Sequence, residues 1–209
     1  MQSTSAKLLL SLYLPTGMLL LTVLAISLRT GIPVAMFTRD PADITDSSPF
    51  LGVLSNIGIL LWCASATICF FAALFLKRKN AGGMAVFFFI SGLITSMLLA
   101  DDLFLLHERI FPEYFHWRQR YVYLSYVAVI FVYLLRFRTT ILKSNFVTLV
   151  LAFGFFFLSI VIDGIAVKYE GFRPFHHFFE DGFKLFGLSS WLGYFGDTAL
   201  HALAPSDGA

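Results

Sequence analysis

Charge is what this sequence has least of. Lys, Arg, Asp and Glu make up 13% of its 209 residues, against roughly 25% in an ordinary soluble domain. A chain so poor in charge cannot coat a water-soluble core. The net charge of +2 is too small for a nucleic-acid partner, which a strongly basic face would announce. Cysteine is scarce as well. Cys63 and Cys69 stand six apart in one apolar run, which as helix puts their Cα atoms about 9 Å apart, beyond the span of a disulfide. They read as packing residues. Internal repeats and low-complexity segments are absent, and so is any hydrophilic stretch long enough for a soluble domain.

Apolar residues fill the space instead. They account for 58% of the chain, with 17% aromatic and a mean hydropathy of +0.79. The fold class implied is all-α, a polytopic transmembrane helical bundle forming a single domain over 1–209. Crossing a hydrocarbon core of about 30 Å takes about 20 helical residues. Six stretches reach that length, approximately 8–28, 51–76, 82–106, 117–135, 145–167 and 178–204. The first exceeds a signal-peptide core and no small-x-small cleavage site follows it, so a retained anchor is expected. Pro15 and Gly17 predict a kink there. The longest connection, Arg29 to Phe50, reads as a polar loop carrying Asp40, Asp43 and Asp46.

The basic connections Lys77-Arg78-Lys79 and Arg136-Phe137-Arg138 with Lys143 point to the cytoplasm under the positive-inside rule. Six spans then put both termini there too, consistent with a bacterial inner membrane. The same parity places the end of the third span, the end of the fifth and the start of the sixth on one side, the periplasmic one.

Those three places hold the chain's chemistry. Asp101, Asp102, His107 and Glu108 close the third span, Asp163 closes the fifth, and His176, His177, Glu180 and Asp181 open the sixth. Ionisable groups at membrane depth are costly and mark functional sites by default. At about 100° per residue, Asp101 and Glu108 fall on nearly one helix face. His176, Glu180 and Lys184, with His177 and Asp181, form a broad stripe that Trp191 continues inward, with Glu180 and Lys184 spaced to pair.

Carboxylates facing imidazoles suit a divalent metal, Zn, Fe or Mn. The ligand set expected is drawn from Asp101, His107, Glu108, His176, His177, Glu180 and Asp181. Asp102, Glu108 and Lys184 are the candidate catalytic groups, with Glu108 or Asp102 taking a proton from metal-bound water. The substrate class would be lipid-soluble, with membrane lipids as surroundings and a homo-oligomer or larger membrane complex as possible assembly. The arrangement lacks HExxH and the paired Glu-x-x-His signature of di-iron bundles.

Three other readings compete. One is a proton or cation relay through Asp101, Asp163, Glu180 and Lys184, which needs polar groups across the bilayer; the cytoplasmic halves of the spans look nearly featureless. Another is an ion-pair network that only locks helices in a structural or assembly subunit, with Lys184 neutralising Glu180 and Arg109, Arg118, Arg120, Lys168 and Arg173 nearby. A haem on His107, or retinal on Lys184, is a lesser possibility. His116 and His201 read as structural or solvated. Asn56, Ser91 and Ser96 suit interhelical hydrogen bonds. The Phe-rich runs read as lipid-facing or packing surface, and Phe172 to Phe179 with Tyr114 and Trp117 as an aromatic belt.

Asp101-Asp102-x4-His107-Glu108 and Glu180-Asp181-x2-Lys184-x2-Gly187 resemble paired motifs, D-[DE]-x4-H-E and [ED]-[ED]-x2-[EK]-x2-G, of uncharacterised bacterial multi-spanning proteins. Lys184 stands where many of those proteins carry an acid. The chain is also loosely similar to the membrane hydrolases that include alkaline ceramidases. That similarity implies a metal-dependent lipid hydrolase, although the His-x3-His of those enzymes is missing here.

Overall fold

A computed structural model describes residues 6–166 and 173–204, and among these every regular element is helical. Two compact units form, Met1–Gly52 and Val53–Ala209.

In the first unit, α1 (Ala6–Thr30) runs through Pro15 as one helix. Ser27 ends it by donating to the Ile32 carbonyl at 2.6 Å. The expected polar loop contains two short helices, α2 (Ala35–Thr38) and α3 (Pro41–Ile44). Asp40 caps α3 by accepting from the Ala42 N–H, and Pro41 occupies the first helical position, where no N–H is needed.

The second unit contains α4 (Val53–Arg78), α5 (Gly82–Phe104), a π-helical turn (Leu106–Ile110), α6 (Phe111–Phe115), α7 (Gln119–Leu142), α8 (Phe146–Ala166) and α9 (Arg173–Leu203). Packing is most extensive between α8 and α9, between α4 and α5, and between α4 and α9. The centre is aromatic. Trp191 of α9 meets Trp62 of α4 edge-on at 5.7 Å between ring centroids, and Phe153 and Phe156 of α8 close round it. Phe87, Tyr133, Phe137 and Phe195 continue the cluster across α5, α7 and α9.

In lipid, helices associate through close packing and polar contacts, because tails are as apolar as the side chains they would replace. Gly92 and Gly187 are sites of such packing. A Cβ on Gly92 would fall 2.8 Å from the Phe70 ring, and one on Gly187 2.6 Å from the Phe156 ring. Ser91 bonds the Tyr133 hydroxyl at 2.8 Å, the interhelical role its position suggests. The outer faces are apolar, with Phe71, Leu74, Phe131, Val150 and Phe157 all exposed. So much exposed apolar surface is foreign to a water-soluble protein and natural against lipid.

Among the described residues, five helices are long and apolar enough to cross a membrane, with candidate spans at Tyr13–Thr30, Val53–Arg78, Gly82–Phe104, Gln119–Leu142 and Phe146–Gly164. The long helix α9 stands outside this set, because the ionisable cluster in its first turns is followed by a stretch carrying Ser189, Ser190, Tyr194, Asp197 and His201. Three boundaries depart most from expectation, one of them the start of α9, which lies at Arg173 and not at the expected Phe178. The third apolar stretch stops being α-helix at Phe104, before the expected Leu106, and α7 extends to Leu142 with non-helical backbone at Phe137.

Candidate functional site

Consecutive residues on a helix project about 100° apart, and Asp101 and Asp102 use that divergence to serve different neighbours. Asp101 is only 8% exposed. Immediately after it the chain departs from regular α-helix. Leu105 adopts the left-handed conformation (φ 52°), donating its N–H to the Asp101 carbonyl, and the π-helical turn follows. A β-carbon makes that conformation unfavourable, and the turn brings His107 back over the carboxylate. Asp101 accepts the His107 N–H at 3.0 Å, the His107 ring Nδ1–H at 2.6 Å and the Tyr126 hydroxyl of α7 at 2.8 Å.

A carboxylate on Nδ1 fixes the tautomer and leaves Nε2 as the basic atom. His107 Nε2 faces Glu108 Oε1 at 3.5 Å, and the ring lies against Tyr123 with centroids 4.8 Å apart. The expected helical face shared by Asp101 and Glu108 is therefore not formed. The break at Leu105 intervenes, and Glu108 is exposed.

Asp102 turns toward α9. Its Oδ1 forms an ion pair with Lys184 Nζ. The expected Lys184–Glu180 pair gives way to this one, because close packing of the bundle brings the α5 carboxylate nearer than the helix's own neighbour. Asp102 Oδ2 is buried and makes no hydrogen bond. Around it Leu54, Ser55, Gly58, Asp181, Leu185 and Leu188 enclose a cavity with room for about one water. Gly58 opens that space, since a Cβ there would sit 3.1 Å from Leu188 and 3.9 Å from Asp102 Oδ2.

Across one turn of α9 lies the third group. His176, His177 and Glu180 each present one ligand atom, all within 4.8 Å of one another. His177 Nδ1 is 3.5 Å from Glu180 Oε2, and the two imidazole centroids are 3.7 Å apart. Two imidazoles and a carboxylate form a donor set suited to Zn, Mn or Fe. Asp163 of α8 lies within electrostatic range of both Glu180 and Tyr123.

The expected residues thus fall into three groups at one end of the Val53–Ala209 unit. Asp101, His107 and Glu108 form one, Asp102, Lys184 and Asp181 a second, and His176, His177 and Glu180 a third. Tyr126 and Gly58 were not singled out by sequence. A tyrosine hydroxyl in an apolar helix needs a polar partner, and that was the available signal for Tyr126. Arg109 pairs with Glu113 at 3.2 Å on the surface. Tyr114, Trp117 and Phe178 are exposed, as an aromatic belt requires. Lys168 and Phe172 lie outside the described residues, as do the side chains of Arg173 and Phe175.

A sequence model for a family described as "Domain of unknown function (DUF8692)" matches residues 13–198, and the chain belongs to that family. No curated protein and no solved structure matches it.

Proposed function

We propose that this member of the DUF8692 family is a six-span membrane metalloprotein, with α9 as the sixth span and a divalent ion held near the periplasmic face by His176, His177 and Glu180. The observation that carries this reading is the convergence of those three ligand atoms within 4.8 Å. A cation there would remove the cost of gathering Glu180, Asp181 and Asp163 in a poorly solvated region. Three protein ligands leave a position for water, whose pKa a metal lowers from 15.7 to about 7. The reaction class is then metal-assisted hydrolysis of a lipid-soluble substrate. Asp102 is already neutralised by Lys184, so the proton-accepting role falls to Glu108 and to His107, which Asp101 orients.

The test is elemental analysis of detergent-purified protein loaded with Zn, Mn or Fe. A stoichiometric ion that is lost in His177→Ala and Glu180→Gln, and kept in Lys184→Met, is the expected outcome. Folded protein that retains no stoichiometric ion would refute it.

A second reading, proton passage, draws on one observation. Polar pairs lie further along the bundle: the Trp191 indole N–H donates to the Thr95 hydroxyl at 3.2 Å, Ser91 meets Tyr133 at 2.8 Å, and the half-buried Ser144 meets Tyr194 at 3.0 Å. The halves of the helices away from the acids are therefore less featureless than their sequence looks. Proton flux in liposomes that disappears with Asp101→Asn, in protein without bound metal, would favour this reading over the first.

A further inference from the structure

The ion pair that joins α5 to α9 is incomplete on one side. Lys184 takes Asp102 Oδ1, while Oδ2 is buried and receives no hydrogen bond among the described residues. An ionised carboxylate offers about four lone-pair sites, and a buried charged oxygen left without a donor costs more than a neutral group in the same position. Oδ2 borders the small cavity between α4, α5 and α9.

Size, polarity and charge together define what that cavity takes. Its volume of about 10 Å³ is close to the least that one water needs, and nothing larger fits. Ser55 of α4 and Asp181 and Lys184 of α9 line it with Asp102, whereas cavities that stay dry are lined by apolar groups and a buried water needs two to four polar partners. The Lys184 ammonium already on the carboxylate would repel a metal cation, so a neutral donor suits Oδ2 best. Gly58 keeps the space open. It lies early in α4 (Val53–Arg78), where glycine is disfavoured by helix propensity. A Cβ at this position would meet Leu188 at 3.1 Å and Asp102 Oδ2 at 3.9 Å, and Leu188 is 1% exposed, with little room to yield.

We propose that this cavity binds one water molecule, which donates to Asp102 Oδ2 and spends its second hydrogen and its lone pairs on Ser55, Asp181 and Lys184. The lock between α5 and α9 is then a hydrated ion pair that also engages α4, and glycine stands at position 58 to admit the water. The site is separate from the metal reading, since His176, His177 and Glu180 do not line it. A consequence runs against propensity: alanine at position 58, ordinarily the better helix former, displaces the water and leaves a buried carboxylate oxygen unsatisfied.

The test joins a crystal structure of the full-length protein, grown in lipidic cubic phase at a resolution that shows ordered water, to thermal unfolding in detergent. The map is expected to hold a solvent peak about 2.7–3.0 Å from Asp102 Oδ2. Gly58→Ala is then measured in the native background and in Asp102→Leu/Lys184→Met, where apolar side chains replace the pair and no carboxylate is left to hydrate. The Leu188 contact is common to both backgrounds and cancels. Gly58→Ala is expected to lower the melting temperature by about 2–10 °C more in the native background than in the apolar one. A site without a solvent peak, or equal shifts in the two backgrounds, would overturn the proposal. So would a peak that rubidium replaces, read from its anomalous signal, since that marks a cation. Should Gly58→Ala fail to fold in either background, the density in the unsubstituted protein decides.

Discussion

The two adjacent aspartates on α5 have unlike roles. Asp101 has three donors on its carboxylate, so its charge is held by hydrogen bonds and it serves His107. Asp102 has one cation and one empty lone-pair side. Removing one partner of a fully buried pair costs about 3–5 kcal/mol, and a fully exposed pair about 0–1 kcal/mol. The Lys184 side chain is 37% exposed and that of Asp102 12%, so Lys184→Met is expected to destabilise by about 1–3 kcal/mol. The double variant Asp102→Asn/Lys184→Met should recover most of that loss, because no unpaired charge is left. Thermal unfolding in detergent over the four-member cycle measures this; additive losses would mean that the pair is not coupled. That Asp102 and not Glu180 pairs with Lys184 was beyond sequence reasoning. Spacing along one helix identified a partner in reach, and the closer one belongs to a helix 82 residues away in the chain.

At the scale of helices, close approach depends on particular glycines. A methyl group at Gly187 would overlap the Phe156 ring, which is itself stacked on Trp62 and tilted against Trp191, so the ring has little freedom to yield. Overpacking of this kind costs about 1–3 kcal/mol. Gly187→Ala should lower the melting temperature, whereas Gly182→Ala, with nothing within 4 Å of the added carbon, should be neutral or gain up to about 1 kcal/mol from helix propensity. Equal melting temperatures for the two variants would show that the α8–α9 contact does not depend on Gly187. Hydropathy placed most ends of the apolar helices to within about two residues, but missed the end of α7 at Leu142 and the start of α9 at Arg173 by several. The exit from α5 was not legible, since nothing in Leu105 as a residue type announces a left-handed backbone, and the turn exists because His107 and Tyr126 compensate for it at Asp101.

For the whole molecule, the proposed arrangement of six spans, one more than the five helices apolar enough to cross, can be tested directly. Single cysteines introduced at Lys79 and Ser144 should react with a membrane-impermeant maleimide from one side of sealed vesicles, and those at Glu108 and Phe178 from the other. Native Cys63, which is exposed, is first replaced by serine. Reporter fusions at the two termini should report the same compartment, the one that holds Lys79. Termini in opposite compartments would remove α9 or α1 from the set of spans. Labelling of Lys79 and Glu108 from one side would contradict the crossing of α5.

Class, helical content and the approximate extent of the apolar segments were decided by the sequence alone, because burial in lipid is a property of composition and length. It also marked Asp101, His107, Glu180 and their neighbours, because an ionisable side chain is expensive in an apolar run wherever the run packs. Tertiary structure alone decided which of these groups meet. Partnership depends on the rotation and separation of helices distant in the chain, and those are set by Gly58, Gly187 and the aromatic core. The open cleft lined by Met84, Lys143, Asp197 and Thr198 has the same origin, since these residues come from α5, the end of α7 and α9 and only packing brings them together.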